Sequence, residues 1–136
     1  MLNSLLNLYT MGILQLGFKN VFRSNTATGF QVKVVNNYYR GTYISLTEGF
    51  DVTVDGESFP RDLVSCTFGD QALSQDELEG NRGRWQFMEP VTLTVTKPGG
   101  LKPGIHEVKV DIPQRISYMP IIPVMRSFTA NIAIVK

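Results

Sequence analysis

The side chains that most often carry catalysis are scarce in this sequence. There is one histidine, His106, in the run GIHEVKV, and one cysteine, Cys66, in LVSCTF. Nucleophilic catalysis needs a Ser, Cys or Thr beside a base. A metal site needs His, Cys or carboxylates at ligand spacing. His106 has no such companions. It shares an alternating phase with Val108, Val110 and Ile112, the core-side face of a strand, so a structural role just after a turn is expected. Cys66 lacks a second thiol for a disulfide or a metal site and reads as a buried free cysteine. Among the acidic residues, Asp51 and Asp55 lie on the polar phase of one strand beside Glu57, while Asp76, Glu77 and Glu79 fall in a short turn. Paired carboxylates cleave glycosides only when held at set separations across a cleft, and nothing in this spacing requires that. The glycine-rich KPGGLKPG lacks the spacing of a phosphate loop and reads as a hairpin-like connection. No catalytic and no metal-binding residue is therefore assigned to this chain.

Recognition side chains are better supplied. Tyr38, Tyr39, Arg40 and Tyr43 stand together in YYRGTY, a turn that needs the glycine but not the tyrosines or the arginine. Arg82, Arg84, Trp85 and Phe87 stand in NRGRWQFMEP, and Arg115, Tyr118, Met119 and Pro120 in RISYMPIIPVMR, residues 115–126. The prolines of this last segment argue against a central strand, because proline cannot donate to the ladder. It reads as an apolar loop, buried or offered to a partner. Tyr, Trp, Met and Arg are the residues that interfaces favour. The candidates for substrate binding or subunit contact are thus Tyr38, Tyr39, Arg40, Arg115, Tyr118, Met119 and Pro120. Packing inside the domain is the competing account of each, and for Trp85 alternating with Phe87 it is the commoner one.

The elements that must hold these segments are strands. Leu14, Leu16 and Phe18 alternate with polar or small residues, as do Phe30, Val32 and Val34, then Phe50, Val52 and Val54, then Val91, Leu93 and Val95, and finally Phe128, Ala130, Ile132 and Ile134. Period two puts successive side chains on opposite faces, one for a core and one for solvent. Asp55-Gly56 is a type I′ hairpin pair. One stretch reads as helical: Ser74 followed by Glu77 fits a capping box over about one or two turns. Many short strands with almost no helix predict an all-β fold, an antiparallel β-sandwich of two packed sheets with at most one short helical turn.

The chain's 136 residues suffice for one core. The expected division is an N-terminal extension, residues 1–12, and a single sandwich domain, residues 13–136. Leu2, Leu5, Leu6 and Tyr9 fall at helical spacing in the extension. With no basic start, no small-residue cleavage site and polar interruptions at Asn3, Asn7 and Gln15, it reads as neither signal peptide nor membrane span. A cytoplasmic protein is the expectation. Thirteen basic residues against twelve acidic ones give a net charge of +1. No Lys or Arg cluster marks a nucleic-acid binder.

The order of several motifs resembles a known family. YYRG followed by ISLTEGFDVTVDGE, then RWQFMEPVTLTVTKPGGLKPGIHEVKV and finally RISYMP are similar to the small (β) subunit of C-glycoside deglycosidases, from about Gly29 to Pro120. No single motif is diagnostic; their order and combination give the resemblance its specificity. The resemblance implies a hetero-oligomer with a TIM-barrel large (α) subunit, which carries a divalent metal, typically manganese, and the catalytic base. It implies cleavage of the carbon–carbon bond of 3-keto C-glycosides by elimination. No metal and no catalytic residue would belong to this chain, and YYRG and RISYMP would be its points of contact. A stand-alone carbohydrate-binding sandwich with an aromatic platform is the alternative.

Overall fold

A computed structural model describes residues 13–36, 41–116 and 119–135, with the backbone alone for Gln15 and for residues 115, 116 and 119–125. The fold is all-β, as expected. A five-stranded sheet has the order β1-β2-β9-β6-β7, built from β1 (Ile13–Arg23), β2 (Thr26–Val35), β6 (Val64–Phe68), β7 (Gln71–Ser74) and β9 (Pro90–Thr96). A four-stranded sheet has the order β11-β10-β4-β5, from β4 (Asp51–Val54), β5 (Glu57–Ser58), β10 (Gly104–Ile116) and β11 (Met119–Ile134). The short strands β3 (Thr42–Tyr43) and β8 (Arg84–Trp85) pair with each other apart from both sheets. All pairings between named strands are antiparallel.

The core lies between the two large sheets and follows the alternation of the sequence. Phe30, Val32, Val34, Val91, Leu93, Val95 and Cys66 are fully buried in the first sheet, and Val108, Val110 and Ile112 in the second. Phe50, Phe68 and Trp85 form an edge-on aromatic cluster, with ring centroids 5.7 Å (Phe50–Trp85) and 5.9 Å (Phe68–Trp85) apart. Such geometry adds to area burial because ring edges and faces carry opposite partial charge. Gly29 permits the closest approach within the first sheet: a Cβ there would lie 2.0 Å from the Val95 carbonyl oxygen.

Four expectations need correction. Leu14, Leu16 and Phe18 do not share a buried face: Phe18 is buried, but Leu16 is 83% exposed. A bulge between Leu14 and Lys19 breaks the register with β2, and Gly17, at φ +94°, takes a conformation closed to most side chains. KPGGLKPG is not a hairpin, since it carries the chain from β9 in one sheet to β10 in the other. The Asn20 side-chain amide holds this crossover by bonding both backbone groups of Leu101, each at 2.8 Å. Residues 119–126 belong to the long strand β11 and are not a loop. β11 is an edge strand, where a proline nitrogen can face away from the ladder. Finally, three 3₁₀ turns occur among the described residues, at Ile44–Leu46, Arg61–Leu63 and Gln75–Glu77, where one was expected. The expected one is present with its Ser74/Glu77 capping box. The Asp55-Gly56 turn has both residues at positive φ, as type I′ demands.

Candidate functional site

Three strands carry a polar residue on their core-facing phase, all near one end of the sandwich. Asn36 continues the phase of Phe30, Val32 and Val34; Gln114 continues that of Val110 and Ile112; Arg126 precedes Phe128 and Ala130. Asn36 and Gln114 are buried and Arg126 is half-buried. Buried polar groups are costly unless paired. Here they pair with each other and with Thr42 in a circuit. Arg126 Nη1 donates to Asn36 Oδ1 at 3.0 Å and to Gln114 Oε1 at 2.9 Å. Asn36 Nδ2 donates to Thr42 Oγ1 at 3.2 Å and to the Trp85 carbonyl at 2.8 Å. Gln114 Nε2 donates to Thr42 Oγ1 at 3.4 Å and to the buried Thr47 Oγ1 at 3.1 Å. A guanidinium can only donate, so both amide oxygens face Arg126 and both amide nitrogens face the threonines.

The circuit underlies the arginine- and aromatic-bearing stretches. Thr42↔Trp85 and Tyr43↔Arg84 pair in register, and the Arg84 guanidinium lies 4.6 Å from the Tyr43 ring centroid, a cation–π distance. Trp85 is fully buried, and its indole N–H donates to the Glu89 carbonyl at 2.6 Å. Phe87 departs from its neighbour and is 42% exposed, as is Met88; Tyr43 is 49% exposed. Met88 sits at φ +63°, a strained conformation for a long side chain, in a turn tied down by its N–H to the Asn36 carbonyl at 2.7 Å.

Of the seven candidates read from the sequence, Tyr38, Tyr39, Arg40 and Tyr118 lie outside the described residues. Arg115 is in β10, and Met119 and Pro120 are in β11; their side chains too lie outside the description. The structure places their roots. Residues 37–41 connect Asn36 to Thr42, and residues 115–125 connect Gln114 to Arg126, so the four members of the circuit are the four stem residues of the two segments. Sequence reasoning passed over all four. The available signal was a polar residue on an apolar phase, at Asn36, Gln114 and Arg126.

His106, Asp55 and Cys66 have their partners or surroundings within the fold. His106 stands near the start of β10, far along the strand from Gln114. Its Nδ1 lies 2.6 Å from Asp55 Oδ2 and its Nε2 2.6 Å from the Lys102 carbonyl. Burial disfavours the imidazolium, but these two acceptors outweigh it and raise the His106 pKa. The His106 bond, with the Glu107 N–H, holds Asp55 below its usual value. Burial pushes the Cys66 thiol up to about 12, which makes it a poor nucleophile near neutrality. Among the described residues, no three of His, Cys, Asp and Glu gather closely enough to hold a metal ion, and no helix is long and apolar enough to cross a membrane. Two clefts of about 380 Å³ each share Glu48, Arg61, Gln75 and Asp76. Asp51 engages Arg61 through both carboxylate oxygens, at 2.8 and 3.0 Å, and Gln75 bonds the Phe50 backbone through both ends of its amide. None of the described residues lining these clefts is aromatic.

A family model described as C-glycoside deglycosidase beta subunit matches residues 10–118. The chain belongs to this family. It is 35% identical over 110 residues to a C-glycoside deglycosidase beta subunit from Eubacterium cellulosolvens, covering 79% of this chain and 75% of that one. It is also similar to a 3'-dehydrocarminate deglycosidase beta subunit from a Microbacterium species, 32% identical over 87 residues, 62% of this chain and 64% of the other. A deglycosidase beta subunit implies a partner subunit in a hetero-oligomer. The match to this beta subunit family takes in Asn36, Thr42 and Gln114 and stops short of Arg126.

Proposed function

We propose that this chain is the small, non-catalytic subunit of a metal-dependent C-glycoside deglycosidase. The large subunit is a TIM barrel, and the substrate is a 3-keto C-glycoside. A base on the large subunit removes the proton at sugar C2, acidified by the adjacent ketone. The C2–H electron pair becomes the C1–C2 double bond, and the C1–aglycone bond breaks with its electrons leaving on the aglycone, which then takes up a proton. A divalent metal, typically manganese, held by the large subunit would supply Lewis acidity to this elimination, and no residue of this chain would hold it.

This chain's own part is to complete and close the pocket, excluding water. The observation that carries this reading is the stacking of Arg84 on Tyr43 beside the exposed Phe87 and Met88, next to the stems that hold YYRG and RISYMP. Five of the seven arginines, Arg40, Arg82, Arg84, Arg115 and Arg126, belong to the three stretches rooted there; the six lysines lie elsewhere in the sequence. Arginine is the cation interfaces favour, because its weakly hydrated planar fork pairs with carboxylates and stacks on rings. The partner face is therefore acidic around an apolar centre.

Co-expression with the barrel subunit tests the reading. A stoichiometric complex that cleaves a 3-keto C-glucoside, while this chain alone does not, supports it. A chain that stays monomeric beside the barrel and binds glycans alone overturns it. Tyr39→Ala and Tyr118→Ala lower assembly or turnover more than they lower the domain's melting temperature; equal thermal collapse would make them core residues.

A further inference from the structure

We infer that His106 is a pH-gated clasp, which fastens the crossover between the two sheets to the β4–β5 turn only while its ring carries two protons. The inference concerns the end of the sandwich away from Gln114 and does not rest on the subunit reading. Three pieces of chain meet at the half-buried ring. Nδ1 lies 2.6 Å from Asp55 Oδ2, in the β4–β5 turn, and Nε2 lies 2.6 Å from the carbonyl of Lys102, at the end of the crossover. Phe18, buried within the bulge of β1, stands edge-on to the ring with centroids 6.3 Å apart. The turn is itself fixed to β10: Asp55 Oδ1 accepts the Glu107 N–H and the Asp55 N–H donates to the Glu107 carbonyl, both at 2.9 Å. The crossover has a separate anchor, the Asn20 amide on Leu101.

A carbonyl oxygen accepts and cannot donate, so Nε2 must carry a proton. An ionised carboxylate also only accepts, so Nδ1 must carry one too. A neutral imidazole has a single N–H and cannot serve both partners. Loss of one proton sets a nitrogen lone pair against an oxygen lone pair, and one link opens. The charged acceptor makes the stronger bond, so the proton stays on Nδ1 and the link to Lys102 is the one released. Among the groups around the ring, the β4–β5 turn brings Asp55, while Glu57 of β5 is engaged by Lys97 at 3.4 Å. The crossover meets the ring through the Lys102 carbonyl, and Glu107 lies on the opposite phase of β10. β1 brings the Phe18 ring, with the exposed Lys19 next in sequence. β11 brings Ile132, between Asn131 and Ala133, and no titratable group. Burial of the ring works against its charge, but the Lys102 carbonyl and the Asp55 carboxylate outweigh it and raise the His106 pKa. The clasp is therefore shut below the unfolded value of about 6.5 and opens as pH rises through the folded one. At the acid end it loses Asp55, whose pKa is lowered, as pH falls through that folded value. Asn20 does not titrate, so Leu101 stays anchored and the opening is confined to residues 102–106.

Magnetic resonance on the full chain, alone or reconstituted with an unlabelled partner subunit, tests the clasp. The chain has one histidine, so isotope labelling of histidine reports this ring alone. Both ring nitrogens give imidazolium shifts at mildly acidic pH, with a midpoint above about 6.5. The backbone signals of Lys102, Gly104 and Ile105 move with the same midpoint. Hydrogen exchange over residues 102–106, corrected for base catalysis, rises by roughly three- to tenfold across it, the effect of losing one hydrogen bond. Leu101 and residues 108–112 keep their protection. Asp55→Asn lowers the midpoint; asparagine also tolerates the positive φ of this turn. His106→Gln abolishes the pH dependence over 102–106. A ring with one proton at mildly acidic pH, or a 102–106 stretch that does not follow the ring, overturns the inference. So does Leu101 opening in step with it, which would make the effect global unfolding. Should His106→Gln fail to fold, Asp55→Asn decides the matter, and an unchanged midpoint there overturns the clasp.

Discussion

Replacing Asn36 by alanine removes one of the two buried amides at the centre of the circuit. Its amide donates to the Trp85 carbonyl at 2.8 Å and to Thr42 Oγ1 at 3.2 Å, and it accepts from Arg126 at 3.0 Å. Asn36 is fully buried, so water does not replace these partners without opening the structure. A buried polar group left unsatisfied costs about 1–3 kcal/mol, more when charged. The Trp85 carbonyl and the Arg126 guanidinium each lose a partner; Thr42 keeps its weaker bond from Gln114 at 3.4 Å. Arg126 is half-buried and recovers part of its loss from solvent. The expected loss is about 2–4 kcal/mol. At roughly 3–4 °C per kcal/mol for a chain of this size, the melting temperature falls by about 6–15 °C. Urea unfolding of the isolated chain, monitored by Trp85 fluorescence, measures it. Asn36→Asp is the informative companion: it keeps an acceptor for Arg126 but turns a carboxylate oxygen toward the Trp85 carbonyl. It is therefore less stable than wild type at neutral pH and recovers as the new carboxyl protonates and can donate. An Asn36→Ala variant within about 0.5 kcal/mol of wild type would refute the claim that the circuit bears on stability.

Three further outcomes follow from the geometry. Gly29→Ala destabilises by about 2 kcal/mol or more, because its Cβ would sit 2.0 Å from the Val95 carbonyl oxygen and neither backbone can give way alone; an unchanged urea midpoint would contradict this. Met88→Gly relieves a positive φ of 63° and raises stability by about 0.5–1 kcal/mol while weakening association with the partner subunit, since it also deletes an exposed apolar side chain; a variant that melts lower and assembles normally would oppose both parts. The His106–Asp55 pair makes stability pH-dependent. The folded pKa of His106 is raised, so its contribution is complete below the unfolded value of about 6.5 and is lost as pH rises through the folded value. Asp55, lowered, contributes above its unfolded value and loses that contribution as pH falls through the folded one. Melting temperature thus declines on going from mildly acidic to alkaline pH, and His106→Gln flattens that limb; parallel curves for the two proteins would refute the assignment.

Much of the fold was legible because it rests on local rules. Period-two alternation marked Phe30, Val32 and Val34, Val91, Leu93 and Val95, and Phe50, Val52 and Val54 as core, and all are buried. The Asp55-Gly56 turn and the Ser74/Glu77 capping box needed only the residues themselves. Local rules failed where distant strands decide the outcome. Leu16 has the phase of a core residue, but the bulge beside it turns it out. Pro120 and Pro123 look like strand breakers, yet an edge position tolerates them. Trp85 and Phe87 share a phase and part company because Trp85 enters the aromatic cluster while Phe87 sits at the isolated bridge to Asn36.

The sequence by itself determined an all-β sandwich, a chain with little equipment for chemistry of its own, and membership of a deglycosidase subunit family through the order of its motifs. It also marked YYRG and RISYMP as segments with more tyrosine and arginine than a turn requires. That their roots are one structure was decided only by the tertiary fold. Asn36, Thr42, Gln114 and Arg126 are separately unremarkable, and up to 90 residues divide them. Sheet register brings them within hydrogen-bonding distance, and the burial of Asn36 and Gln114 then obliges those amides to find partners within the protein.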